Sequence, residues 1–210
     1  VEWFAKRKIS KETMDYFSIY TKEEWMPQVN AKVNAICFPY INEKLEIVNI
    51  KYRSNPKAFK LFKDAKLISY NLQSIRGKKH AIYVEGEIDC MSLYEAGIGR
   101  NSPNVDTDTG AVSEDNSLNK WALLSVPNGA SLGRDAKLEY LENDAEILMG
   151  ISEFIIATDN DEAGKSLKKE LIKRLGAEKC RTVTYPTDLV VPTKEGFARA
   201  CKDMNEVLIY

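Results

Sequence analysis

The chain has no apolar stretch approaching the ~20 residues that a membrane-spanning helix requires. No apolar segment follows the basic residues near its start, as one would in a secretory signal. It holds one histidine and four cysteines in 210 residues. Cys37, Cys90, Cys180 and Cys201 lie far apart with no C-x-x-C pair, so the short paired spacing of a zinc site is missing. Four reduced thiols in a cytosol-type compartment are expected, and Cys37, inside an apolar run, reads as a small core residue. Any Ser-His-Asp or Cys-His mechanism would have to run through His80, which instead heads an apolar run and reads as the first residue of a strand. There is no G-x-x-x-x-G-K-[ST] loop, so no motor of that type lies in these residues. Neither sign of charge is in excess: 30 Lys and Arg stand against 31 Asp and Glu. A composition that is 44% hydrophobic and 29% charged excludes collagen-like, low-complexity and disordered classes. The length fits one domain, or two small ones sharing a core. The first residue is Val1 rather than Met, which reads as a piece of a longer protein.

The near-zero total conceals a division. Residues 1–80 carry 16 basic and 8 acidic side chains, and residues 81–210 carry 14 and 23. Between 51 and 79 there are nine basic residues and a single acid, Asp64. Such asymmetry points to polyanion binding by the first half, with a solvated lysine face as the plain alternative.

Two patterns of secondary structure follow the same division. Residues 10–17 suit a short helix capped by Ser10. Residues 34–40 and 45–52 are β-rich around Asn42-Glu43-Lys44 and predict a hairpin, its second strand alternating as a half-buried strand would. Gly77-Lys78-Lys79 marks a boundary. Beyond it, strands are predicted over 81–84, 121–126, 154–158 and 181–185, and helices over 88–96, 135–149 and 161–175. Residues 101–119 are polar and read as an exposed loop insertion. Strand–helix alternation with apolar strands argues for an α/β fold with a mostly parallel sheet, whose ligands bind beyond the carboxyl ends of the strands.

Acidic residues stand there. Glu85 follows the first of these strands, Gly86 permits a close backbone approach, and Asp89 lies a helical turn further on. Asp159 and Asp161 follow a later strand; if that strand runs through them, both side chains share one face. Asp203 and Glu206 form a third group. An isolated Asp-x-Asp is more commonly a helix cap with a solvated neighbour. Three such groups in order, two of them directly after strands, suit hard oxygen ligands for Mg²⁺ or Mn²⁺.

Glu85-Gly-Glu-Ile-Asp89 and Asp159-Asn-Asp161-Glu-Ala-Gly164 resemble the Toprim pattern of DnaG-type primases, topoisomerases and small nucleases. Three further features resemble phage-type and Twinkle-like primase–helicases. They are Ser125-Val-Pro127-Asn128-Gly129-Ala130 in the loop after the second Toprim strand, Lys202-Asp203-Met-Asn205-Glu near the end, and, at the start, Arg-Lys-Ile-Ser-Lys-Glu-Thr over 7–13 with Ile50-Lys51-Tyr52-Arg53. The resemblance covers nearly the whole chain. It implies a primase catalytic core: a basic N-terminal α+β subdomain over 1–79 packed on a Toprim domain over 80–210, with a cleft between. It implies Glu85, Asp159 and Asp161 as catalytic residues. It also implies Glu85, Asp89, Asp159, Asp161 and Asp203 as ligands of two Mg²⁺ or Mn²⁺ ions. Lys51, Arg53, Lys60, Asn128, Gly129 and Asn205 would contact nucleotide or template. Asn205 stands where a second aspartate is common in DnaG. Phe59, Phe62 and Tyr70, interleaved with lysines, could stack on bases, although core packing is commoner.

The implied activity is synthesis of short RNA primers on single-stranded DNA from nucleoside triphosphates. A replicative helicase, in cis or in trans, is the implied partner, in the cytoplasm of a bacterial or phage-infected cell, with no membrane. The alternatives are a Toprim nuclease and a non-catalytic nucleic-acid-binding Toprim module. The former needs no basic first half. The latter needs no acidic residues.

Overall fold

The computed structural model describes residues 2–55, 57–100, 104–105, 112–113, 118–129, 138–192 and 197–210. The chain begins with a short helix α1 (Glu2–Ala5) and a second, α2 (Lys11–Tyr16). Ser10 caps α2 as expected, its side chain accepting from the Thr13 N–H. Four antiparallel strands follow, β1 (Tyr20–Met26), β2 (Ala31–Ile41), β3 (Ile47–Ser54) and β4 (Ala58–Leu61), paired in sequence order. The β2–β3 turn is built by Asn42, whose Oδ1 accepts from the Lys44 and Glu46 N–H groups at 3.0 and 2.9 Å. β3 is not half-buried in the expected way: Asn49 and Tyr52, on opposite faces, are both buried.

The second half alternates. Strand β5 (His80–Val84) leads into helix α3 (Glu87–Glu95). Two-residue strands β6 (Asn104–Val105) and β7 (Val112–Ser113) pair antiparallel within the polar stretch. Most of the insertion expected over 101–119 lies outside the described residues, as do residues 135–137 of the helix expected over 135–149. Then come β8 (Trp121–Ser125), the short helices α4 (Glu139–Asn143) and α5 (Ala145–Leu148), β9 (Glu153–Ala157), α6 (Glu162–Leu175) and β10 (Cys180–Thr182). A hairpin of β11 (Val190–Pro192) and β12 (Ala198–Ala200) precedes the last helix, α7 (Met204–Ile209). The sheet order is β10-β9-β5-β8, all parallel. This is the mixed α/β architecture that the strand–helix alternation predicted.

One apolar core joins the two sheets. Phe4, Phe17, Phe38 and Tyr40 from the first half pack in the same cluster as Tyr83, Met91 and Leu124 from the second. Tyr70 is fully inside it, 5.8 Å from Phe17 and 5.1 Å from Tyr40 ring to ring, so it is a core residue and not a stacking platform. Its backbone also bridges Ser125, extending the parallel sheet past β8. The chain's ends are tied together: Lys8 Nζ donates to the Ile209 carbonyl at 2.9 Å. Cys37, Cys90 and Cys201 are buried thiols. Among the described residues, no helix is long and apolar enough to cross a membrane.

Candidate active site

The carboxyl ends of β5 and β9 lie side by side, with Val84 in register with Ala157. The loops that leave them carry Glu85 and Asp159, and the Asp159 N–H donates to Glu85 Oε2 at 3.4 Å. Gly86 is the N-cap of α3, and its N–H donates to Asp89 Oδ2 at 3.2 Å. The other Asp89 oxygen accepts from the Asn205 N–H at 3.3 Å. Asp89 is thus buried with both oxygens engaged, docking α7 onto α3.

The strand does not continue through the two aspartates, and the second acidic loop takes the capped form instead. β9 ends at Ala157, and Asp161 is the N-cap of α6, its Oδ1 accepting from the Gly164 N–H at 2.9 Å. Asp159 turns into the cleft, whereas Asp161 is exposed and is not among the residues that line it. The turn is tight because Gly164 lies against the Asp159 peptide, where a Cβ would come within 2.1 Å of the Asp159 carbonyl oxygen. Asp203, in the third group, caps α7 by accepting from the Glu206 N–H at 2.8 Å. Glu206 in turn pairs with both terminal nitrogens of Arg199, at 2.8 and 2.5 Å.

These carboxylates feel one another. Burial, then the Glu85 and Asp203 charges, pushes the Asp159 carboxyl up to about 7. Burial, then Asp203 and Asp159, holds the Asp89 carboxyl well above the carboxylate range. Asp203 is raised as well, by burial first. Lys202 is the counter-charge within the group, its Nζ 3.5 Å from Asp159 Oδ2 and 3.7 Å from Asp203 Oδ2. Burial alone would lower the Lys202 ammonium; the two aspartates outweigh it and hold it above its ordinary range. Among the described residues, no three acidic, histidine or thiol side chains converge into a ready-made metal cage. The donors are nevertheless hard oxygens gathered against their own repulsion, and they suit a small divalent cation better than any softer ion.

Facing them across a cleft of about 910 Å³ is a cationic wall that includes Arg7, Lys51, Arg53, Lys57 and Lys60. Glu85, Asp89, Asp159 and Asp203 line the same cleft, as do Asn128, Gly129 and Asn205. Lys51 is held by Glu87 Oε1 at 2.7 Å and the Pro127 carbonyl at 2.8 Å, and Tyr40 Oη donates to the same Glu87 oxygen at 2.5 Å. Lys60 is anchored on β1, 2.8 Å from Glu24 Oε1. Arg53 lies against the Trp3 and Phe59 rings. Asn205 faces inward: its Nδ2 donates to the Arg7 carbonyl and to Ser92 Oγ, each at 3.0 Å, which leaves its side chain a structural tie.

The structure therefore brings together most of the residues singled out by sequence and leaves Asp161 outside the cleft lining. Sequence reasoning passed over Glu87 and Lys202, although both sit inside motifs it quoted. It gave no role to Arg7, which heads the quoted segment over 7–13, and it passed over Trp3, which carried no pattern of its own.

Comparison with known proteins gives a consistent answer. Residues 82–208 match the Toprim-like family. The chain is 31% identical to the Twinkle homolog protein, chloroplastic/mitochondrial, of Arabidopsis thaliana, over 99% of this chain and 26% of that protein. It is 30% identical to the primase homolog protein of the same plant, over 99% of this chain and 54% of that one. The chain thus spans about a quarter and about half of the lengths of these two relatives. The primase fragment of the bacteriophage T7 primase–helicase superimposes with a TM-score of 0.65 at 24% identity, over 96% of this chain and 66% of that chain.

Proposed function

Because the chain belongs to the Toprim-like family, we propose that it is the catalytic core of a DNA primase, joining nucleotides into short RNA primers on single-stranded DNA. The observation that carries this reading is the single cleft with a carboxylate wall and a cationic wall. A hydrolase acting on nucleic acid needs the first wall. Binding a nucleoside triphosphate together with a template strand also calls for the second.

The division of labour follows from the two walls. Asp159, Asp203 and Glu85 would hold divalent cations, Mg²⁺ or Mn²⁺, with Asp161, whose charge acts on Asp159, as a further carboxylate and Asp89 docking the last helix beside them. Bound there, such ions stabilise negative charge on attacking and leaving oxygens. Asp159, its carboxyl pushed up to about 7, would have to be deprotonated to ligate a cation. Lys202 keeps the acidic loops together until then. Lys51 and Lys60 present ammonium groups whose positions are already fixed by carboxylates, so less freedom is lost when phosphate binds.

The chain divides into a basic subdomain over 1–79 and a Toprim domain over 80–210. In support, the antiparallel sheet ends at Leu61 and the parallel sheet begins at His80. The likeness to a fragment of the T7 primase–helicase supports a helicase partner, in the same polypeptide or a separate one.

The test is primer synthesis on single-stranded DNA with labelled nucleotides and Mg²⁺ or Mn²⁺. Labelled oligonucleotides should form, and Asp159→Ala should abolish them. Cleavage of labelled DNA without any extension product would sink the reading in favour of a nuclease.

A further inference from the structure

The cationic wall contains two guanidinium groups held differently from the paired lysines of the cleft. Lys51, Lys60 and Lys202 each have a carboxylate partner within 3.5 Å. Among the described residues, Arg7 and Arg53 have no carboxylate at ion-pair distance. They share an aromatic ring instead: Arg7 Cζ lies 3.7 Å and Arg53 Cζ 4.4 Å from the centre of the Trp3 ring. Phe59 extends the array, its ring 5.3 Å from Arg53 Cζ. Arg7 is fixed further by donating from Nη1 to the Trp3 carbonyl at 2.9 Å.

This arrangement opposes itself electrostatically. Burial lowers both guanidinium groups, and the Arg7 charge lowers Arg53 further. An indole face attracts each cation and so offsets part of that cost. Cations attracted to a ring face keep N–H groups available for an anion, and a guanidinium offers these as a planar fork matched to phosphate oxygens. Both forks line the cleft that Asp159 and Asp203 share.

We propose that Trp3 is a positioning residue that gathers Arg7 and Arg53 into one double-fork unit for the triphosphate of the incoming nucleotide. The assignment rests on reading the cleft as a nucleotidyl-transfer site. A triphosphate suits it better than template because it concentrates its charge on three adjacent phosphates, while a strand offers one phosphate per nucleotide.

The experiment uses the 210-residue chain and inorganic tripolyphosphate, titrated calorimetrically without divalent cations, beside a single-stranded oligonucleotide lacking a triphosphate. Trp3→Leu keeps apolar bulk against Phe4 but removes the π face. It should weaken tripolyphosphate binding about tenfold, and Trp3→Phe should restore most of it. In primer synthesis the same variant should raise KM for nucleotides about tenfold with a smaller change in kcat. Unchanged tripolyphosphate binding by Trp3→Leu overturns the proposal. An equal or larger loss for the oligonucleotide overturns the triphosphate assignment in favour of template. If Trp3→Leu does not fold, Arg7→Lys decides: it keeps the charge without the fork, and wild-type affinity would overturn the proposal. A chain that binds tripolyphosphate through Trp3 yet makes no primers refutes the primase reading and leaves this one standing.

Discussion

Gly164 offers a way to move Asp159 without touching any acidic side chain. A methyl group there would lie 2.1 Å from the Asp159 carbonyl oxygen, 2.7 Å from its carbonyl carbon and 2.9 Å from its Cα. Real Cβ contacts stay beyond 3.0 Å, so the Asp159 peptide must retreat by about 1 Å. No rotamer relieves the clash, because every atom concerned is backbone. The turn is also held on both sides, by Asp161 Oδ1 on the Gly164 N–H and by Thr158 Oγ1 on the Gly164 carbonyl. Forcing atoms into a packed site costs about 1–3 kcal/mol, and a 1 Å error in a catalytic group costs on the order of 100-fold in rate. Gly164→Ala should therefore cut primer synthesis roughly 100-fold while lowering the melting temperature by only about 5 °C. Gly97→Ala is the control: its φ of +91° strains alanine, a cost that Gly164 inside α6 does not carry, but a Cβ there meets nothing within 4 Å. It should lose stability and keep activity. Wild-type rates from a folded Gly164→Ala would refute the claim that this close approach sets the position of Asp159.

Two more outcomes follow from buried charges. Glu87→Ala strips the partly buried Lys51 of its carboxylate and the buried Tyr40 of its acceptor, and should destabilise the fold to urea by about 3 kcal/mol. Combined with Lys51→Met, the loss should be smaller than the sum by at least ~1 kcal/mol, and strict additivity would refute the coupling. Asp144 is buried away from the cleft, with Oδ2 accepting from the Ser69 N–H at 2.7 Å, and burial lifts its carboxyl to about 6. A raised folded-state value means the native state holds the proton longer, so stability falls as pH rises from about 4 to about 6 and stays lower above that. Asp144→Asn should remove this penalty, about 3 kcal/mol at pH 7, and show little difference from wild type near pH 4. Wild-type and variant stability curves that run parallel from pH 4 to 7 would refute it.

What could be read from sequence followed local rules. Asn42 announced the hairpin, Ser10 its helix, and apolar runs of four or five residues the three central parallel strands. Acids placed after those strands foretold the carboxylate wall, because the topology of a parallel sheet gathers strand ends on one edge. Strand β1 gave no such signal: five of its seven residues are exposed, and its pairing with β2 makes it a strand. The strand expected over 154–158 and the helix expected over 161–175 are β9 and α6, and between them the Asp161 side-chain cap, with the turn that Gly164 allows, ends the strand before both aspartates can share its face. The helix expected over 135–149 breaks at Asp144, whose carboxylate reaches across to the distant Ser69 N–H. The part played by Arg7 and Trp3 was invisible for a related reason. Their role depends on Arg53, and only packing brings that residue to them.

The tie between the chain's two ends has a consequence for motion. Asn205 holds the Arg7 carbonyl, Lys8 holds the Ile209 carbonyl, and the helix between begins at Asp203, inside the acidic wall. The first turn of the protein and its last helix therefore open together or not at all, as one cooperative unit. Whatever steadies Asp203 also slows the fraying of residues two hundred positions away, so occupancy of the acidic wall would register as amide protection at the amino terminus.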